Sequence, residues 1–205
     1  PGAASAAATD PDNRAMTEAI RRYETGDRAG AETALLALSR RGLLAADYNL
    51  AIMHLDGGWP GASVAEAQQR LERAARGGFV TAMLALGRLH ERGDFGDSDV
   101  ATAQRWYELA AEGGSVEAQV ETATAYYLGR GVKQDRATAA RWYREAANAG
   151  DLGAQYLIAS MYEHGDGVAV DLRLARYWYD IAARNGDDAA PGKLREIDER
   201  LRGKL

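Results

Sequence analysis

The chain has 205 residues, of which 46% are apolar and 27% charged, so it has enough apolar material for a buried core and is not disordered in the main. Its 25 basic residues against 30 acidic ones give a net charge of −5, which leaves no global basic field to hold a nucleic acid. Cysteine is absent, which excludes disulfides, thiolate metal sites and a cysteine nucleophile. Apolar runs extend over only a few residues, far short of the roughly 20 that a membrane span needs.

The chain opens at Pro1-Gly2 instead of Met, from which removal of either a signal segment or an expression tag is expected. Residues 1–9 are small and unpatterned and are expected to form a disordered tail. Order is expected from Asp10-Pro11, an N-cap followed by proline at the first helical position. A first helical hairpin is expected over 11–40, joined at Thr25-Gly26.

From there a repeat with a period of 36 residues takes over. Ala74-Ala75, Ala110-Ala111, Ala146-Ala147 and Ala182-Ala183 keep that step, and so do Gly42, Gly78, Gly114, Gly150 and Gly186. Within a copy, Ala103, Trp106, Tyr107, Ala110 and Ala111 fall on one helical face, as do Ala154, Leu157, Ile158, Met161 and Tyr162. Each copy therefore reads as a hairpin of an A helix and a B helix, over 43–76, 79–112, 115–148 and 151–184, with a closing helix at 188–202. Ser63, Asp99, Asp135 and Asp171 are the expected N-caps of the B helices. A helices are expected to stop at Gly57, Gly93, Gly129 and Gly165. A single hairpin cannot cover its apolar face, so neighbours must stack into one solenoid over 10–205. The small column Ala51, Gly87, Ala123 and Ala159 lets those helices approach closely.

No arrangement of residues reads as an active site. His54 and His90 share their column with Tyr126 and Tyr162, which fits core packing better than metal ligation, and His164 reads as a surface residue. The Asp94 to Asp99 loop lacks the spacing of an EF-hand, and Asp99 is needed as a cap. No phosphate-binding loop and no nucleophile elbow occurs, so no catalytic, metal or cofactor residue is assigned. Trp106, Trp142 and Trp178 sit at core offsets and are expected to pack between repeats. Trp59, in the loop Gly57-Gly58-Trp59-Pro60-Gly61, is either folded under that loop or exposed to a partner.

These columns resemble the Sel-one-like repeats (SLR), longer relatives of the tetratricopeptide repeat. The residues that carry the resemblance are Ala118-Gln119, Tyr126, Gly129-Arg130-Gly131-Val132, Asp135, Trp142-Tyr143 and Ala146-Ala147 in the fourth hairpin. In the fifth they are Ala154-Gln155-Tyr156, Tyr162, Gly165-Asp166-Gly167-Val168, Asp171, Trp178-Tyr179 and Ala182-Ala183. Earlier copies depart from the pattern, with Trp59 and Phe95 for the second loop glycine and Arg70-Leu71 for Trp-Tyr.

The resemblance implies an all-α fold, an α/α right-handed superhelical solenoid of SLR or TPR-like hairpins. It also implies a non-enzymatic scaffold or adaptor that binds a protein or peptide on its concave face, in the bacterial periplasm or cell envelope, with the cytoplasm as the alternative compartment. Two other functions stay open by the same analogy, β-lactam binding or hydrolysis and a role as immunity protein or chaperone for a secreted toxin. In tetratricopeptide arrays the A-helix positions one and four after the small column face the groove. Here those are Ile52, Leu55, Arg88, Glu91, Thr124, Tyr127, Ser160 and Glu163, with Arg92 and His164 alongside. Together with Trp59, the residues from Arg88 onward are the expected partner contacts.

Overall fold

A computed structural model describes residues 11–203. The expected tail over 1–9 and the cap at Asp10 lie outside the described residues. Those described form eleven helices and no strand. They group into two compact units that divide between Ser98 and Asp99.

The first unit holds α1 (Pro11–Glu24), α2 (Arg28–Arg40), α3 (Leu44–Asp56), α4 (Val64–Arg76) and α5 (Val80–Arg92). The second holds α6 (Val100–Glu112), α7 (Val116–Leu128), α8 (Arg136–Asn148), α9 (Leu152–His164), α10 (Leu172–Arg184) and α11 (Ala190–Arg202). Odd-numbered helices are the A helices and even-numbered ones the B helices. Within each unit every helix packs on the next in sequence, so both units are all-α stacks of consecutive helices, and the boundary falls inside the expected hairpin 79–112. No helix among the described residues is long and apolar enough to cross a membrane.

Capping chemistry fixes the ends of these helices. Ser63, Asp99, Asp135 and Asp171 each accept a backbone N–H from the first turn of a B helix. The B helices end two residues before the glycine column, where Gly42, Gly78, Gly114, Gly150 and Gly186 hold φ between 88° and 99°, a conformation that a side chain resists.

Gly131 and Gly167 answer a different need. A Cβ on Gly131 would lie 2.6 Å from the Val100 carbonyl oxygen, and one on Gly167 would lie 2.2 Å from that of Arg136. The loop backbone thus rests directly on the first turn of the preceding B helix. Trp59 and Phe95 occupy the same column in the earlier hairpins. There the ring folds back on its own A helix, Trp59 against His54 with centroids 5.6 Å apart and Phe95 against His90 at 5.3 Å. Histidine in that A-helix column therefore goes with an aromatic loop residue, and tyrosine with glycine.

The alanine pairs, apart from the half-buried Ala183, and the small column Ala51, Gly87, Ala123 and Ala159 are buried. His54 is buried as expected, and His90 half-buried. The tryptophans expected to pack between repeats are covered to different degrees. Trp178 is buried, but Trp106 and Trp142 are only half-buried, because the neighbouring Tyr107, Tyr143 and Tyr179 take the innermost position. Tyr179 is fully covered and meets Tyr156 edge-on at 5.2 Å.

Candidate functional site

Two grooves open between successive A helices, one in each unit. The first, of about 430 Å³, takes Tyr48, Ile52, Leu55 and Asp56 from α3 and Ala85, Arg88, Leu89 and Arg92 from α5, with Val64 and Asp94 at its ends. Aliphatic Ile52, Leu55, Val64 and Leu89 share its lining with the charged Asp56, Arg88, Arg92 and Asp94. Arg92 Nη2 pairs with Asp94 at 2.6 Å, while Asp56 accepts the Tyr23 hydroxyl and lies 3.7 Å from Arg28. Ile52 and Val64 are exposed apolar side chains on this surface.

The second groove, about 100 Å³, is lined by Tyr127 from α7, Tyr143 from α8, Leu157, Ser160 and Met161 from α9, and Asp166. Tyr127, Leu157, Ser160, Met161 and Asp166 stand two repeats after Leu55, Ala85, Arg88, Leu89 and Asp94 of the first groove. The same five columns thus line both grooves with different chemistry. In the second groove the Tyr127 hydroxyl donates to Asp166 at 3.3 Å, Arg136 donates to the same carboxylate at 2.8 Å, and the Arg136 guanidinium lies 5.3 Å from the Tyr127 ring centre. Tyr143 is buried, which pushes its phenol pKa up, and its hydroxyl shares a 2.9 Å hydrogen bond with Thr124.

Of the contacts expected from sequence, Arg88 and Arg92 are brought together with Ile52 and Leu55, and Tyr127 with Ser160. Glu91 and Thr124 are part-covered residues outside the grooves' linings. His164 is exposed at the end of α9, its Nδ1 2.9 Å from the Ser160 carbonyl oxygen. Trp59 takes the inward alternative, half-buried on the core of the first unit.

Glu163 does not face a groove. It is 5% exposed and accepts the Tyr179 hydroxyl at 2.9 Å and Arg200 at 2.8 Å, with Lys193 at 3.7 Å, so its carboxylate fastens α11 to α9 and α10. Burial and that carboxylate together push the Tyr179 phenol well above its ordinary pKa. Tyr48, Val64, Leu157, Met161 and Asp166 were not anticipated. Tyr48 lies one helical turn before Ile52 and so on its face, and Asp166 shares a column with Asp94, so the helical period and the repeat together point to both. Among the described residues no group of three or more His, Asp or Glu side chains gathers as a metal site.

A search of curated proteins gives no match to this chain. Among solved structures, a protective antigen present in uropathogenic Escherichia coli strains and displaying an SLR fold superimposes with a TM-score of 0.77 at 29% identity, over 95% of this chain and 43% of that one. A Sel1 repeat protein from Oxalobacter formigenes gives a TM-score of 0.71 at 32% identity, over 82% of this chain and 49% of that one. This chain therefore spans less than half the length of either. The Sel1 repeat model matches residues 44–79, 80–115, 116–151 and 153–187, consecutive copies that coincide with the hairpins and take in most of the sequence. On that match the chain belongs to the Sel1 repeat family, whose members commonly serve as protein-interaction scaffolds.

Proposed function

We propose that the chain is a non-enzymatic adaptor of the bacterial cell envelope that holds a segment of a partner protein on the face formed by its A helices. The observation that carries this reading is the pair of repeat-equivalent grooves, in which the same columns present Leu55, Arg88 and Asp94 in one case and Tyr127, Ser160 and Asp166 in the other. Core columns keep their residues from copy to copy while these columns change, as expected of positions that serve recognition rather than packing. Arg and Tyr are also the side chains that tend to dominate binding energy at interfaces. The envelope compartment rests on the likeness to the Escherichia coli protective antigen.

Photo-cross-linking residues placed at Ile52 and Ser160 test the face, with the exposed Arg76 on α4 as the outward control. Capture of one partner from Ile52 and Ser160, but not from Arg76, is the expected result. Arg88→Ala and Tyr127→Ala should then each weaken that partner by about 1–3 kcal/mol in calorimetry. Capture from Arg76 alone would place binding on the B-helix side and end this reading. Fractionation of cells producing the native protein tests the compartment, and recovery in the cytoplasm would overturn it.

A further inference from the structure

A second opening, of about 340 Å³, lies on the B-helix side of the second unit. Ala111, Glu112 and Gly114 line it from the end of α6 and its turn, Gln119 from α7, and Arg141, Trp142 and Glu145 from α8. The same place exists in other hairpins, where it is filled, and the fillings show what chemistry it accepts.

In the second hairpin, Asp47 stands in the Gln119 column, Arg70 in the Trp142 column, Arg73 in the Glu145 column and Ser39 in the Ala111 column. Here two guanidinium groups occupy the place. Arg70 Nη1 donates to Asp47 Oδ1 at 3.0 Å, Arg73 Nε lies 3.5 Å from Oδ2, and Arg73 Nη2 donates to the Ser39 carbonyl oxygen at 3.4 Å. In the fifth hairpin the column holds Gln155, which donates to the Ala147 carbonyl oxygen at 3.3 Å and accepts at its own oxygen the Asn185 amide at 2.9 Å.

The fourth hairpin has only half of that arrangement. Gln119 Nε2 donates to the Ala111 carbonyl oxygen at 3.4 Å, as Gln155 does to that of Ala147. Its Oε1 is buried with no donor, because Ala149 stands where Asn185 stands in the fifth hairpin. An acceptor in this position costs free energy until an N–H reaches it. The half-buried Trp142 offers a flat aromatic wall, and the two carboxylates of Glu112 and Glu145 outnumber the single cation of Arg141 among the lining residues.

We infer that this niche is a binding site for a guanidinium group, supplied by an arginine side chain of a protein partner. A guanidinium is planar and stacks on an indole face, and its fork of N–H donors can serve a carboxylate and an amide oxygen at once. An ammonium group lacks the plane, and a neutral amide lacks the positive charge that the carboxylates of Glu112 and Glu145 favour. The second hairpin supplies the precedent for a guanidinium in this place, and the fifth for an N–H donor on the glutamine oxygen. The site lies on B helices and does not depend on the A-helix grooves.

The test uses the whole chain, labelled with ¹⁵N, and Nα-acetyl-arginine-N-methylamide as the probe. The four indole N–H signals are assigned with single Trp→Phe variants. The expected result is a saturable shift of the Trp142 signal with a millimolar dissociation constant, while the Trp59, Trp106 and Trp178 signals stay in place. The isosteric citrulline compound, which has the shape without the charge, should bind at least tenfold more weakly, and the lysine compound should also be weaker.

Ala149→Asn supplies the missing amide from within. The C-cap backbone of Ala149 (φ −78°, ψ −1°) is close to that of Asn185 (φ −86°, ψ 1°), so the substitution fits without strain. It should leave the melting temperature equal or higher and weaken the arginine probe at least tenfold. Glu145→Gln should weaken it several-fold. An unmoved Trp142 signal, equal affinity for the citrulline compound, or unchanged binding in Ala149→Asn would each overturn the assignment.

Discussion

Arg70 and Asp47 form a 3.0 Å ion pair in columns that hold Trp and Gln in the fourth and fifth hairpins. Asp47 is fully buried, and Ser39 donates a second hydrogen bond to its Oδ1 at 2.6 Å. The two departures from the repeat pattern thus compensate each other. Arg70→Ala removes one partner of a buried pair and should destabilise the chain by about 3 kcal/mol. The double change Asp47→Gln with Arg70→Trp restores the residues of the later hairpins and should recover most of that loss. Urea denaturation of the three proteins measures both effects, and a double variant no more stable than Arg70→Ala would show that the pair is not a unit.

The half-buried state of Trp142 separates it from its neighbour Tyr143, which is 4% exposed. Tyr143→Ala should cost about 3–5 kcal/mol as a large deletion from the core. Trp142→Ala leaves a smaller loss of buried area and should cost about 1–2 kcal/mol. Equal losses in denaturant melts would place the tryptophan in the core after all.

Glu163 joins three elements through one buried carboxylate. Glu163→Ala leaves the Tyr179 hydroxyl without an acceptor and Arg200 without its partner, which should destabilise by about 3 kcal/mol. Hydrogen exchange over Ala190–Arg202 should accelerate more than exchange over α8, since the last helix loses its fastening. A uniform acceleration would instead mean that α11 opens only with the whole unit.

Tyr126 is pushed up to about 12 from an ordinary value of 10, first by its hydrogen bond to Glu108 and then by burial. Below pH 10 the phenol is protonated in both folded and unfolded chains, and its contribution to stability is fully present. Between pH 10 and about 12 the unfolded chain ionises while the folded one retains the proton, so stability falls as pH rises through that window. Tyr126→Phe should show a shallower decline of the denaturation midpoint over this range than the parent. Parallel declines in the two proteins would remove Tyr126 as a cause.

Hairpins and caps were legible because their determinants are local. An Asp or Ser before each B helix and a glycine after it set the ends of the helices whatever lies around them. The grooves were half legible. Position on an A helix pointed to Arg88, Arg92, Tyr127 and Ser160, but the same offset placed Glu163 at the surface. The distant Arg200 and Tyr179, 37 and 16 residues away, are what turn it inward. Trp59 was undecidable from its loop alone, because its inward turn depends on stacking against His54. The Gln119 niche was not legible at all. It is a shortfall relative to the fifth hairpin, and that shows only when Asn185 is seen to bond Gln155.

The contact of Gly131 on Val100 and Gly167 on Arg136 has a consequence for how such an array diversifies. Main chain meets main chain there, so the distance from one hairpin to the next in the second unit is gauged by atoms that every substitution leaves in place. Side chains on the open faces can then be exchanged freely without altering that gauge. A glycine in the loop acts as a spacer of fixed thickness, and recognition can drift from copy to copy while the pitch of the stack is held constant.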